Sequence, residues 1–322
     1  MPGPDLMTTA QIIFGLVVVL LIYIITLVVL NIDNVVESRS ITVAPKEKTL
    51  IIDGYANSSY LAKRSYNTVN PFVEDFRKLG RSINTHGGAQ FTYQFWIKME
   101  DLTVSNYQNQ VLILKGDNQK YKIGIYDNKH DPKKYTKVDE KGADYYIKSP
   151  LIKFGSSHKE IIVEFNTNRD INYRTRVSMK SDTEDPIGKR NVLSLLPLNW
   201  YLFTFVFEDN FSLVDTAENG IKFSFYINDF PYHVVNASSD PKLHNNFLRQ
   251  NEGNLHILPD MAGINDFIKM GNLMYYNYAL SQSEISGIYS KGQPKHSATF
   301  KEGKEPKPAY ISAYNKMDIY NY

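Results

Sequence analysis

Paired carboxylates, clustered histidines and thiolates are the side chains most able to do chemistry, and in this chain their spacing argues against catalysis. A retaining glycosidase needs two carboxylates about 5 Å apart, and on a strand residues i and i+2 share a face. The nearest approach to three carboxylates at alternate positions is Glu160 to Glu164, where the apolar Ile162 occupies the middle position. These read as solvent-face charges on an edge strand. The seven histidines, His86, His130, His158, His233, His244, His256 and His296, show no His-x-x-x-His or His-Glu-x-x-His spacing, and there is no cysteine to supply a thiolate ligand. Hard cations prefer loop carboxylates and carbonyls. Asp117, Asp127 and Asp131 lie in turn-like segments and are the candidate calcium ligands, although Asp there is also an ordinary turn former. No Gly-x-Ser-x-Gly elbow or phosphate-cradling glycine loop occurs. The expectation is a non-enzymatic protein with no catalytic residue and no cofactor.

Binding chemistry is better represented. The chain holds 23 Tyr and 17 Phe, most of which sheet packing explains, because aromatic side chains suit half-buried strands. The tail 294–322 mixes Lys, Pro and Tyr without apolar periodicity, which reads either as a disordered end or as a partner-binding strap. Tyr310, Tyr314, Tyr320 and Tyr322 are its candidate contacts, since Tyr is enriched among residues that anchor interfaces. With 36 basic against 34 acidic residues, no global field favours nucleic acid.

The elements that must carry these residues begin with an apolar run. Ile12 to Leu30 contains no charge, and at about 1.5 Å per residue it matches a bilayer core. After a short leader, 1–11, the segment 12–32 is expected to be a single transmembrane helix. The leader lacks Lys and Arg whereas Arg39, Lys46 and Lys48 follow the span, which places the large domain on the cytosolic side. Absence of cysteine fits a reducing compartment. Sequons at Asn57, Asn210 and Asn236 occur at about chance frequency and decide nothing.

Residues 33–85 read as a stalk with a docking strand near Thr49–Asp53. From Gln90, Phe91–Lys98 alternates with period two over most of its length, and similar strand-like runs recur at Gln110–Leu114, Tyr121–Tyr126, Glu160–Phe165, Tyr201–Phe207 and Ile221–Ile227. Gly116-Asp117-Asn118, Asp127-Asn128-Lys129 and Asn228-Asp229 supply turns between them, with Pro231 closing the reversal after Ile227, and 127–158 reads as an insertion. The pattern predicts an all-β, antiparallel two-sheet sandwich over 86–293. One helix is expected after the capping box Ser281-Gln282-Ser283-Glu284, docking through Leu280, Ile285 and Ile288.

Phe91–Lys98, the pairing of Asn199–Val206 with Phe223–Asp229, and the ending Gly271–Ser281 followed by Glu284-Ile285 together resemble laminin-G-like domains of the concanavalin A-like lectin/glucanase superfamily. The likeness covers residues 86–293 and implies a jelly-roll sandwich. It also brings a glycan ligand and calcium into consideration, while the family's glucanase Glu-x-Asp-x-Glu pattern is missing here. Ser82–Tyr93 is similar to membrane-anchored members encoded by large double-stranded DNA viruses of algae and amoebae. That resemblance implies a minor virion component joining an internal membrane to the capsid, with other structural proteins as partners. A membrane-anchored lectin is the alternative.

Overall fold

The computed structural model describes residues 14–23, 25–26, 45–62, 64–73, 75–82, 88–117, 120–122, 136–137, 144–145, 147–170, 172–179, 195–211, 219–259 and 266–298. The chain divides into two compact units, Met1–Pro45 and Lys46–Tyr322. In the first, residues 14–23 and 25–26 are helical and their apolar side chains are exposed. Thr26 Oγ1 donates to the Ile22 carbonyl at 2.8 Å, so the run's hydroxyl is satisfied within the helix. Among the described residues no helix is long and apolar enough to cross a membrane. The remaining positions of the expected 12–32 span lie outside the described residues.

The second unit is built from antiparallel strands. In chain order they are β1 (Lys48–Leu50), β2 (Tyr55–Asn57), β3 (Ser65–Tyr66), β4 (Gln90–Met99), β5 (Val111–Gly116), β6 (Lys120–Lys122), β7 (Thr136–Lys137) and β8 (Asp144–Tyr145). Then follow β9 (Lys148–Phe154), β10 (Glu160–Phe165), β11 (Tyr173–Ser178), β12 (Trp200–Asn210), β13 (Gly220–Ile227), β14 (Phe230–Val235), β15 (Asn254–Ile257) and β16 (Ile268–Tyr276). One sheet runs β1-β16-β4-β12-β13-β14, with β2 also on β16; the other runs β11-β10-β9-β5-β15-β3. A small third sheet has the order β7-β6-β8.

The expected two-sheet antiparallel sandwich is what forms. Alternation drives it: on β12, Phe203, Phe205 and Phe207 point to the core, and β4 sets Phe91 and Phe95 beside them with ring centroids 4.9 Å (Phe91–Phe207) and 5.8 Å (Phe95–Phe205) apart. Phe165 of β10 meets Phe207 edge-on at 5.6 Å, joining the two sheets. Each fully buried ring contributes about 1.5–3 kcal/mol of hydrophobic stabilisation.

Part of the outer face of the larger sheet is buried as well, which period-two patterning does not announce. The helix Gln282–Tyr289 lies over it, packing Ile285 with Val206, Tyr276 and Leu280. Its N-terminus is the expected capping box: Ser281 N donates to Glu284 Oε2 at 2.7 Å and Glu284 N donates to Ser281 Oγ at 3.3 Å. Polar residues trapped beneath are paired. Gln94 Nε2 donates to Thr204 Oγ1 at 2.9 Å, and Thr92 Oγ1 donates to the Tyr278 carbonyl at 2.9 Å. A buried hydroxyl or amide left unpaired costs about 1–3 kcal/mol, so these bonds are required.

Three sequence expectations need correction. Residues 148–154 are not part of an insertion but the interior strand β9, between β10 and β5. Pro231 does not close the reversal after Ile227: Asn228 (φ +60°) and Asp229 do, in a two-residue turn pairing Ile227 with Phe230. Pro231 instead lies in β14, at the sheet edge, where a strand tolerates a missing N–H. Nor is β10 an edge strand, since β9 and β11 flank it.

Candidate binding surface

The chain has two tryptophans, and the fold brings them to one place. Phe95 and Ile97 face the core, so Trp96 and Lys98 of β4 face outward. The β4–β12 register sets Lys98 opposite Trp200 and Trp96 opposite Leu202. Trp96 and Trp200 are thus diagonal neighbours on the outer face of the larger sheet, within reach of one another for large rings.

Two tyrosines complete the surface. On the far side of β4, Gly271 of β16 stands opposite Trp96, and Tyr55 of β2 stands opposite Gly271. A Cβ on Gly271 would come within 2.7 Å of the Gly54 carbonyl oxygen, 2.8 Å of Pro294 Cγ and 2.9 Å of Tyr55 Cβ. The glycine is what lets residue 55 lie close over the sheet. Asn272 secures the approach: its N–H donates to the Gly54 carbonyl at 2.8 Å, and its side-chain oxygen accepts from Gly54 N at 3.0 Å. The Tyr55 ring reaches Trp200 at 5.7 Å with a 59° tilt, while Tyr289, at the end of the docked helix, stacks on Trp96 at 5.9 Å and 21°. Trp96 is buried, Tyr55 and Trp200 are half-buried, and Tyr289 is exposed.

A polar rim adjoins the rings. Lys269 stands opposite Lys98 and forms a 2.6 Å ion pair with Glu100, and Asn57 is the next residue across. Asn57 Nδ2 donates to Asp266 at 3.2 Å, and Ser59 N donates to the same carboxylate at 2.7 Å. These bonds hold the Asp266 carboxyl below its usual pKa against the opposing effect of partial burial, the largest single influence on it. Chemically the surface offers ring faces and edges beside fixed charges. This suits contact with an amphipathic partner rather than bond-making.

The carboxylates singled out from sequence are elsewhere. Glu164 is not a solvent-face charge: it is fully buried, paired with Lys148, with Lys153 at 3.3 Å and with Arg174 at 2.7 Å. A carboxylate leaves water only when such partners repay its desolvation. Glu160 pairs with Arg176 at 3.1 Å and accepts from Ser156 N at 2.8 Å. Asp117 follows β5, its N–H donating to the Ile147 carbonyl at 3.1 Å. Asp127, Asp131, Tyr310, Tyr314, Tyr320 and Tyr322 lie outside the described residues. Among the described residues no three or more His, Asp or Glu side chains gather as a metal site would require. The Tyr55–Trp96–Trp200–Tyr289 grouping escaped sequence reading; the one signal for it was the even spacing of Trp96 and Lys98 against the core-facing Phe95 and Ile97.

No protein-family model matches the chain, and no curated protein matches it. Among solved structures, the botulinum neurotoxin serotype D binding domain is similar at 10% identity over 66% of this chain and 38% of that one, with TM-score 0.37. The receptor binding domain of the botulinum neurotoxin C/D mosaic serotype is similar at 11% identity over 63% of this chain and 36% of that one, with TM-score 0.36. The chain spans under two fifths of the length of these structures.

Proposed function

We propose that this protein is a non-enzymatic interaction module, a β-sandwich of the concanavalin A-like type held at a membrane by its apolar segment 12–32, with its body on the cytosolic side. The observation that carries this reading is the convergence of Trp96, Trp200, Tyr55 and Tyr289 on one outer sheet face, with Trp200 half-buried and Tyr289 exposed. Large aromatics left part-exposed beside a charged rim have the composition of an interface anchor. The partner in this reading is another structural protein, and the setting a virion whose internal membrane is joined to its shell. No metal or cofactor is assigned.

A photo-reactive phenylalanine analogue at position 200, in the full chain within its native membrane, tests the reading. Protein adducts from position 200, and none from an equivalent probe at the exposed edge residue Val234, support it. Purified virus particles lacking the chain would remove the virion setting. The second reading is a lectin, favoured by the Lys98, Lys269 and Asn57 rim beside flat ring faces. Saccharide-induced change in tryptophan fluorescence, abolished in Trp200→Ala, would favour it over the protein partner. Silence in both assays overturns the surface as a binding site.

A further inference from the structure

Away from the aromatic surface, the loop after β3 presents a concentration of exposed apolar side chains. Val69 is 53% exposed, Phe72 65% and Val73 39%, all within five positions. The loop is built, not slack. Asn67 N donates to the Asp75 carbonyl at 3.0 Å and Arg77 N to the Asn67 carbonyl at 2.8 Å, closing its neck. Above the neck, Asn67 Oδ1 accepts from Val69 N at 3.0 Å and Asn70 N at 2.6 Å, and Asn70 Oδ1 accepts from Phe72 N at 3.0 Å. Side-chain amides thus take up backbone donors at the tip, so fewer polar groups need water there. Exposing a preformed apolar tip has a cost in water that some surface must relieve.

Three basic side chains lie at the neck, one over the buried Tyr66 ring and two paired with carboxylates. The Arg77 guanidinium lies over the Tyr66 ring at 5.4 Å, Arg64 pairs with Asp75 at 3.7 Å, and Lys78 pairs with Glu47 at 3.4 Å. Exposed apolar side chains with basic groups close by are the pairing that a bilayer interface accepts, apolar groups entering the acyl boundary and cations meeting the headgroups. The position of Glu47 matters for a second reason. It stands where the chain joins the body after residues 31–45, a stretch that can span at most about 50 Å. Lys78 touches that junction, as does Thr49, whose Oγ1 donates to the Lys78 carbonyl at 2.7 Å.

We propose that the tip of this loop, residues 67–73, is a second membrane contact, its Val69, Phe72 and Val73 side chains inserting into the interfacial layer of the bilayer that residues 12–32 anchor. The inference rests on the anchor reading and goes beyond it: the body is docked on the lipid surface at two points, leaving the aromatic surface to its partner.

Because the chain has no cysteine, single replacements carry a unique environment-sensitive fluorophore. Full chain bearing Phe72→Cys, Val69→Cys, Val234→Cys or Ile22→Cys is reconstituted into vesicles of phosphatidylcholine and phosphatidylserine in equal parts, with spin-labelled lipid as quencher. The expected result is quenching at 72 and 69 about twofold or more above that at 234, with emission shifted to the blue. Quenching at 22 with position 72 no different from 234 overturns the loop contact and spares the anchor. Quenching at 72 without quenching at 22 removes the anchor reading and supports the loop. Concentration-dependent shielding of position 72 in lipid-free detergent solution would assign the tip to a second copy of the chain, and the lipid proposal would fall.

Discussion

Glu164 shows how one side chain can bind several elements together. It draws Lys148 of β9, Lys153 of the same strand and Arg174 of β11 onto β10. Removing its charge strands the fully buried Lys148 ammonium, so Glu164→Gln is expected to lower stability by about 3–5 kcal/mol, measured by urea denaturation. Gly271 is the second decisive residue. In Gly271→Ala the new Cβ meets the Gly54 carbonyl, a backbone atom that cannot step aside. A loss of about 1–3 kcal/mol is expected, together with a red shift of tryptophan emission as Tyr55 lifts from Trp200. An unchanged emission maximum would mean that Tyr55 is not held by this close approach.

At the scale of elements, the helix Gln282–Tyr289 covers the part of the larger sheet's outer face around Val206 and Tyr276. Ser281→Ala removes half of the capping box and is expected to cost about 1 kcal/mol. Ile285→Ala empties a fully buried position between helix and sheet and is expected to cost about 2–5 kcal/mol. The larger loss should be accompanied by faster amide exchange on β12, whose outer face the helix shields; exchange unchanged there would show that the helix does not protect the sheet. This capping box was legible in the sequence because its logic is local, three residues apart along the chain. What the helix docks against was not legible, because Val206 and Tyr276 reach it through sheet pairing.

For the whole molecule, buried groups bias stability against pH in opposed directions, as Asp209 and His158 illustrate. Burial raises the Asp209 carboxyl to about 6 from 3.8, despite backbone N–H bonds from Ala89 and Leu248 that pull the other way. The folded state therefore holds a proton that the unfolded chain has released, and this contribution to stability is lost as pH rises from about 4 to 6. His158, buried against Tyr107 with neither ring nitrogen bonded, is shifted down by desolvation and by Lys159. Its contribution is present above its ordinary value of 6.5 and lost as pH falls below it. His158→Phe is thus expected to gain thermal stability relative to the parent more at pH 5 than at pH 7.5. An equal difference at both values would show that His158 does not titrate against folding.

What the sequence determined by itself is whatever depends on neighbours in the chain. The alternation of Phe203, Phe205 and Phe207 dictates strand and face, the capping box starts the longest helix among the described residues of the body, and the charge-free 12–30 run marks an apolar segment. Tertiary structure alone decided the rest. Glu160–Phe165 reads as an edge strand until β9 and β11 close on both its sides, and Glu164 reads as a surface charge until three cations from neighbouring strands make its burial affordable. Trp96 and Trp200 are unrelated in sequence and become one surface only through strand register. Hydrogen bonding between strands acts at a distance along the chain that no local pattern encodes, and that is why the sheet faces were legible while the site they assemble was not.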